Sequence, residues 1–200
     1  VCTRLGGGVR GVFRSGFPAG GVADGSCFVT AHFPYTSMGG YIFAFFAGVY
    51  FWLPKMIGRR LDDRLGKIHF WTMFVAFNAT FLPLFAIGEL GMPRRVFEYA
   101  QRLQTLNDWV SISAYGIGLS LLIFVYNFIK STIIDDRVLL EQNPWESRGL
   151  EWTVPYPAPV DNFAATPIVV SGPYEYGTGA GPMIVVAAAA AQTTSDAVAL

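Results

Sequence analysis

The sequence predicts an all-α membrane protein with three membrane-spanning helices and an irregular tail. Of its 200 residues, 52% are hydrophobic and only 14% are charged, whereas a typical soluble domain has about 25% charged residues. Three segments contain no Asp, Glu, Lys or Arg: residues 28–54, 68–88 and 109–129. Each is about 20 residues or longer, which at about 1.5 Å per helical residue spans the roughly 30 Å hydrocarbon core of a bilayer.

Composition also excludes several classes of protein. The 14 basic and 14 acidic residues cancel, so no overall basic field favours a nucleic-acid partner. The two cysteines, Cys2 and Cys27, form neither a CxxC pair nor a disulfide framework. Gly6, Gly8 and Gly11 match G-x-G-x-x-G, but no predicted strand precedes them, so we do not expect a dinucleotide site.

Residues 1–27 are rich in glycine and include Pro18 as a further helix breaker. We expect an outer loop or the remnant of a preceding helix. The segment lacks the apolar region of a signal peptide, and we therefore expect further membrane helices upstream.

Charge sets the predicted topology of the three-helix segment, residues 28–134. Five basic residues but only two acidic ones lie in the hairpin of residues 55–67, which the positive-inside bias places in the cytoplasm. Residues 89–108 then lie on the outer side, and residues 135–200 form a cytoplasmic tail that is rich in proline and of low complexity.

The outer loop contains adjacent arginines, Arg94 and Arg95, on the side where basic residues are disfavoured. Guanidinium groups bind carboxylates through paired, charge-assisted hydrogen bonds. Arg94 and Arg95 therefore fit either of two roles. They could form an anion site, or they could lie in a solvated loop and form ion pairs with Glu89 or Glu98.

Only two histidines are present, and both lie in or at the edge of apolar spans. His32, near the outer end of the first span, fits a metal ligand and an internally satisfied helix histidine equally well. His69, near the inner end of its helix, can reach the headgroups and is expected to be structural. A metal cofactor with carboxylates at the outer surface, such as haem, would explain His32 together with the arginine pair.

Several motifs resemble the tenth to twelfth helices of subunit I of haem-copper cytochrome c oxidases. They are Ala31-His32-Phe33, Phe51-Trp52-Leu53-Pro54-Lys55-Met56, Gly66-Lys67-Ile68-His69-Phe70-Trp71 and Gly91-Met92-Pro93-Arg94-Arg95. Asn143-Pro144-Trp145 and Leu150-Glu151-Trp152 are similar to the tail of bacterial members. The resemblance runs from about residue 24 to residue 167 and implies the last three helices of a twelve-helix subunit.

The resemblance also implies roles for individual residues. His32 corresponds to the proximal ligand of the high-spin haem, Phe33 to the aromatic residue between two haems, and Arg94 and Arg95 to the pair that binds haem propionates. Pro34 stands where the family has the histidine ligand of the low-spin haem, and proline cannot coordinate iron. The copper ligands of the family belong to helices outside this sequence.

The activity implied by the resemblance is the reduction of dioxygen to water with electrons from cytochrome c, coupled to proton translocation in aerobic respiration. The implied cofactors are high-spin and low-spin haem, a-type, and copper in the intact subunit. The implied partners are other oxidase subunits, the upstream part of subunit I, cytochrome c and membrane lipid, in a bacterial plasma membrane. The alternatives are a quinol-fed oxidase and a non-catalytic membrane segment. This sequence alone, without the rest of subunit I, is expected to be inactive.

Overall fold

A computed structural model of the chain describes residues 2–16, 19–134, 143–147, 149–155, 160–163, 166–169 and 184–185. Its α-helices are α1 (Cys2–Ser15), α2 (Ala19–Ala23), α3 (Cys27–Thr36), α4 (Phe43–Ile57), α5 (Asp63–Glu89) and α6 (Gln104–Ile129). The other elements are π-helical turns at Met38–Ile42 and Lys130–Ile134, 3-10 turns at Gln101–Leu103 and Leu150–Trp152, and the short strands β1 (Ile168–Val169) and β2 (Ile184–Val185).

Three continuous helical segments are long and apolar enough to cross a membrane: Cys27–Ile57, Asp63–Glu89 and Gln101–Ile134. Each contains one of the three charge-free segments, so the predicted all-α membrane fold is confirmed. Each also extends beyond the charge-free residues into the polar residues that flank them. Asp62 caps the second segment, its carboxylate accepting hydrogen bonds from the N–H groups of Arg64 and Leu65.

The first span is not a regular α-helix. Pro34 lies inside α3 and cannot donate the backbone hydrogen bond of an α-helical turn. Beyond it, the Phe43 N–H donates to the Met38 carbonyl, five residues back, and this bond closes the π-helical turn between α3 and α4. The span therefore consists of two α-helical halves that this turn joins.

Helix α3 and the C-terminal half of α5 form the main apolar core. Phe28, Tyr35, Phe77 and Phe85 are buried there, with ring centroids 4.9 Å apart for Phe28 and Phe85 and 5.0 Å apart for Tyr35 and Phe77. Both pairs meet edge to face, the arrangement that aromatic quadrupoles favour. The Tyr35 hydroxyl donates to Asn78 Oδ1 at 2.7 Å, so its polar atom is satisfied in this apolar setting.

Gly88 allows α5 to approach α3 closely. A Cβ at this position would lie 2.7 Å from the Phe28 Cα and 2.8 Å from its Cβ, and closer still to its backbone nitrogen. A side chain of any size would therefore require one helix to move away from the other.

Two helices, α1 and α2, occupy the segment for which the sequence predicts an outer loop or a helix remnant. Helix α1 packs against α3 through Gly7, where a Cβ would lie 2.9 Å from Thr36 Cγ2. Phe13 of the same helix contacts Phe28, with 6.2 Å between ring centroids.

A buried amide connects α6 to the beginning of α5 at the other end of the bundle. The Asn127 side chain is fully buried; its Oδ1 accepts from the Asp62 N–H at 3.1 Å, and its Nδ2 donates to the Asp62 carbonyl at 3.1 Å. Lys130 Nζ lies 3.2 Å from Asp62 Oδ2. The hydrogen bond from Lys130 lowers the pKa of Asp62, so this carboxylate stabilises the fold above its unfolded-state pKa, and the contribution is lost as the pH falls through the lowered value.

A second compact unit comprises Pro54–Arg60 and the described residues of the tail. Within it, Lys55 Nζ donates to the Val154 carbonyl and lies over the Trp152 ring, while the Arg60 guanidinium lies 4.8 Å from the Trp145 ring centroid. Strands β1 and β2 pair antiparallel over two residues each. The predicted low-complexity part of the tail lies mostly outside the described residues.

We expect Gly88→Ala to destabilise the protein by about 1–3 kcal/mol, because the added methyl would overlap the Phe28 backbone. The measurement is thermal unfolding in detergent, followed by circular dichroism. Gly48→Ala in α4 is the matched control, since a Cβ there meets no atom within 4 Å and should leave the midpoint unchanged or slightly raised. Equal midpoints for the two variants would contradict the close approach of α3 and α5.

Candidate functional site

His32 lies on α3, one and a half turns from the beginning of the helix. Ser26 caps this helix, its hydroxyl accepting from the Phe28 N–H at 3.2 Å. The His32 side chain is half-buried, and its Nδ1 atom is fully shielded from solvent. Phe33 points outward and is 58% exposed. The two neighbouring candidate residues thus face different surroundings, as adjacent positions on a helix must.

The loop containing the arginine pair is hydrogen-bonded to the beginning of the same helix. The Arg94 N–H donates to the Gly25 carbonyl at 2.8 Å, and the Cys27 N–H donates to the Met92 carbonyl at 3.0 Å. Ser26 and Pro93, which lie between these two hydrogen bonds, form an antiparallel β-bridge. Since His32 follows Ser26 by six residues, it lies about 9 Å further along the helix axis.

Arg94 and Arg95 are both exposed at this end of the bundle. Arg95 has a positive φ of 63° and Gly91 one of 85°, so the loop turns sharply at both ends of the motif. Glycine adopts this left-handed conformation freely, whereas arginine rarely does. The structure therefore brings His32 and the arginine pair to the same end of the bundle and leaves the guanidinium groups accessible to an anion.

Helix α1 covers the His32 ring on its Cε1–Nε2 edge. A Cβ on Gly11 would lie 3.2 Å from His32 Cε1 and 3.6 Å from Nε2, so the α1 backbone lies directly beside this edge. Arg10, the preceding residue, has its guanidinium carbon 4.0 Å from the Phe85 ring centroid and 5.0 Å from that of Tyr35. These contacts hold α1 against α3 and α5 at the level of His32.

The donor chemistry suits a haem, but the space does not. An imidazole ligand and two exposed guanidinium groups are the functional groups that iron and propionates require. A macrocycle bound through Nε2 would need the volume that α1 fills beside Gly11. With α1 in this position, the site does not accommodate a haem on Nε2 of His32.

Pro34 provides no second iron ligand on α3, as the sequence indicates. Within the part of the chain that the structure describes, no group of three or more His, Cys, Asp or Glu side chains could hold a metal ion. His32 is thus a single donor.

His69 is more enclosed than the sequence suggests. Its side chain is only 2% exposed and packs edge to face on Phe46, with 4.7 Å between ring centroids. Its Nδ1 lies 3.4 Å from the Tyr50 hydroxyl, and Asn127 Nδ2 lies 3.5 Å from the same hydroxyl. The ring is therefore part of the bundle interior and does not extend to the headgroups.

Sequence reasoning missed Arg10 and Asn127. Arg10 lies in a glycine-rich segment without a hydropathy signal, and its partners Tyr35 and Phe85 are distant in sequence. Asn127 carried a usable signal, because a carboxamide within a charge-free span requires hydrogen-bond partners. Its partner Asp62 could not be identified from spacing, since 65 residues separate the two.

Comparison with known proteins gives a consistent result. The family model described as "Cytochrome C and Quinol oxidase polypeptide I" matches residues 1–119. Among curated proteins, the chain is similar to cytochrome c oxidase subunit 1 of Corynebacterium diphtheriae, with 41% identity over 174 residues, and of Thermostichus vulcanus, with 39% identity over 171 residues. Each alignment covers 86% of this chain and 31% of the relative. The chain therefore spans about a third of the length of these relatives.

Proposed function

We propose, because the chain belongs to the cytochrome c and quinol oxidase polypeptide I family, that the whole subunit reduces dioxygen to water with electrons from cytochrome c. The chain is a part of subunit I, and the family implies haem and copper as cofactors. The identity of 37–44% to cytochrome c oxidase subunits carries the proposal. We further propose that the reaction is coupled to proton translocation and that the haems are a-type.

In the whole subunit, where α1 would have to lie elsewhere, four residues of this chain are proposed to contact the high-spin haem. His32 would hold the iron, Phe33 would pack beside the macrocycle, and Arg94 and Arg95 would bind the propionates. The hydrogen bonds between the 91–95 loop and the beginning of α3 support this assignment, because they fix the backbone that carries both arginines relative to the helix that carries His32. Haem iron, when bound, supplies the centre at which dioxygen is reduced.

The contributions of the protein are orientation and charge. The Ser26 cap and the core around Phe28 determine the position of the helix that presents His32. The two guanidinium groups would neutralise the propionates, whose charge is otherwise unfavourable at the edge of the bilayer. Pro34 cannot hold a second iron, so a low-spin haem would need another ligand or a histidine at this position.

We propose that the protein lies in a bacterial plasma membrane with its tail in the cytoplasm. The proposed partners are other oxidase subunits, the remainder of subunit I, cytochrome c and membrane lipid. The family description also includes quinol oxidases, so a quinol-fed enzyme is the second candidate. Pro34 is the observation that favours the other alternative, a non-catalytic membrane segment.

Topology can be tested by labelling with a membrane-impermeant thiol reagent in intact cells. A cysteine at Arg64, which is exposed in the hairpin, should react only after permeabilisation, because five basic residues hold that loop inside. A cysteine at Phe97, which is 96% exposed in the outer loop, is the control and should react immediately. Reaction of the Arg64→Cys protein from outside would reverse the proposed orientation.

The arginine pair can be tested in an assembled oxidase by the double substitution of Arg94 and Arg95 with alanine. Loss of the charge-assisted bonds should weaken haem retention by about 1.5 kcal/mol for each arginine, the lower end of the range for charged partners, because both side chains are exposed. Haem content and midpoint potential are the measurements. Arg102→Ala, an exposed arginine of the same loop, is the control; identical spectra and potentials for all three proteins would contradict propionate binding.

The ligand assignment can be tested by two substitutions in the longer subunit. His32→Ala should remove the high-spin haem signal, because alanine cannot coordinate iron. Pro34→His should introduce a six-coordinate low-spin spectrum. His69→Gln is the comparison variant, since His69 is enclosed by aromatic rings away from the site, and it should retain the high-spin signal. A bis-histidine low-spin haem in the unaltered subunit would overturn the assignment of positions 32 and 34.

A further inference from the structure

Helix α5 has one open face in the part of the chain that the structure describes. Its apolar side chains are between 44% and 61% exposed: Ile68, Trp71, Val75 and Leu82. They follow one another at intervals of three, four and seven residues, which align side chains along one side of an α-helix. Met73, on the opposite side, is buried in the bundle. The open face of α5 is therefore a continuous apolar surface along most of the helix.

Two basic residues lie at the beginning of the same face. Arg64 precedes Ile68 by four residues, and Lys67 precedes Trp71 by four, so each cation lies one helical turn before an apolar side chain of the open face. Both basic side chains are exposed. The open face thus changes from cationic to apolar within about one turn of α5.

The acidic residues at this end of α5 do not cancel both cations. The Asp62 carboxylate already pairs with Lys130, whose Nζ lies 3.2 Å from Asp62 Oδ2. Asp63, the other acid, lies one turn before Lys67 at the edge of the open face. Two cations and one acid remain, so this end of the open face has a net positive charge.

Trp71 lies where the charged and apolar parts of the open face meet. Its ring contacts Phe70 and Phe74 edge to face, with 5.4 Å and 6.0 Å between ring centroids. It follows Lys67 by about 6 Å along the helix axis. Tryptophan is enriched at the interface between headgroups and hydrocarbon, because its ring is apolar and its N–H is polar. The position of Trp71 therefore marks this level of the membrane on α5.

We propose that the open face of α5 binds an anionic phospholipid, with the headgroup phosphate at Arg64 and Lys67 and an acyl chain along the apolar side chains. The order of cations, amphipathic ring and apolar residues along α5 matches the order of phosphate, glycerol and hydrocarbon in such a lipid. From Ile68 to Leu82 the helix rises about 21 Å, which exceeds the roughly 15 Å hydrocarbon thickness of one leaflet.

Charge complementarity favours a lipid over a neighbouring helix on this face. A second helix would have to supply acidic groups opposite Arg64 and Lys67, since unpaired charges are costly to bury. An anionic phospholipid supplies phosphate at this level of the membrane, and basic residues beside a membrane helix attract such headgroups. The proposal names the class of lipid and its site, and it rests on the proposed function only for the membrane location.

The lipid site can be tested by fluorescence quenching in the full chain, reconstituted into vesicles. The vesicles are equal mixtures of phosphatidylglycerol and phosphatidylcholine, with bromine on the acyl chains of only one of the two lipids. Bromine quenches tryptophan on contact, and the surface charge is the same in both preparations. The contribution of Trp71 is the difference between the unaltered protein and its Trp71→Phe variant. The measured quantity is the preference of this site for phosphatidylglycerol.

We expect Trp71 to be quenched more strongly when phosphatidylglycerol carries the bromine. Each cation should contribute about fivefold to the preference, which corresponds to about 1 kcal/mol, so Arg64→Gln combined with Lys67→Gln should bring the preference close to one. Arg64→Lys combined with Lys67→Arg retains both charges and should retain the preference. Arg102→Gln removes an exposed charge at the other end of the bundle and should also leave the preference unchanged.

Equal quenching of Trp71 by the two brominated lipids in the unaltered protein would overturn the lipid site. Absence of quenching by either lipid would also overturn it, because a second copy of the chain would then cover the open face of α5. A preference that persists in the double glutamine variant, while circular dichroism shows an intact fold, would do the same. None of these measurements involves haem, so their failure would leave the assignment of His32 as an iron ligand intact.

Discussion

The close approach of α5 to α3 at Gly88 is the constraint on which the end of the bundle that contains His32 depends. Because Gly88 has no side chain, the α5 backbone lies directly against Phe28. The chain leaves α5 only a few residues later, and the 91–95 loop can therefore hydrogen-bond with the residues that begin α3. The position of the arginine pair relative to His32 thus follows from one small residue. A larger residue at 88 would separate the two parts of the candidate site.

The opposite end of the bundle is held by polar contacts. The side chain of Asn127 accepts a hydrogen bond from the backbone N–H of Asp62 and donates one to its backbone carbonyl. Lys130 forms an ion pair with the Asp62 carboxylate. A buried amide with all its partners stabilises one arrangement over its alternatives, because any shift leaves a polar group unsatisfied in an apolar setting. Apolar packing at one end and hydrogen bonding at the other together determine how α5 lies against its neighbours.

The spans were predictable from the sequence because hydropathy is a local property. The three segments without charged residues alone indicate where the helices lie. Because Arg94 and Arg95 follow the second span, they are predicted to lie near the end of the bundle that contains His32. The contacts of α1 with His32 were not predictable, since they depend on rings at positions 35 and 85 that meet Arg10 only in the folded bundle. Hydrogen-bond partners 65 residues apart, such as Asp62 and Asn127, have no periodicity that could reveal them.

The π-helical turn at Met38–Ile42 has a consequence for the relation between the two ends of the first span. It accommodates one residue more than an α-helix of the same rise, and each residue corresponds to about 100° of rotation. A helical wheel drawn through the whole span would therefore assign the wrong faces to one half. Removal of a single residue from this turn would convert it into a regular α-helical turn and keep Tyr50 facing His69, because the π turn holds the extra residue without rotating the two halves. The turn thus lets the span differ by one residue in length while each half keeps its packing face.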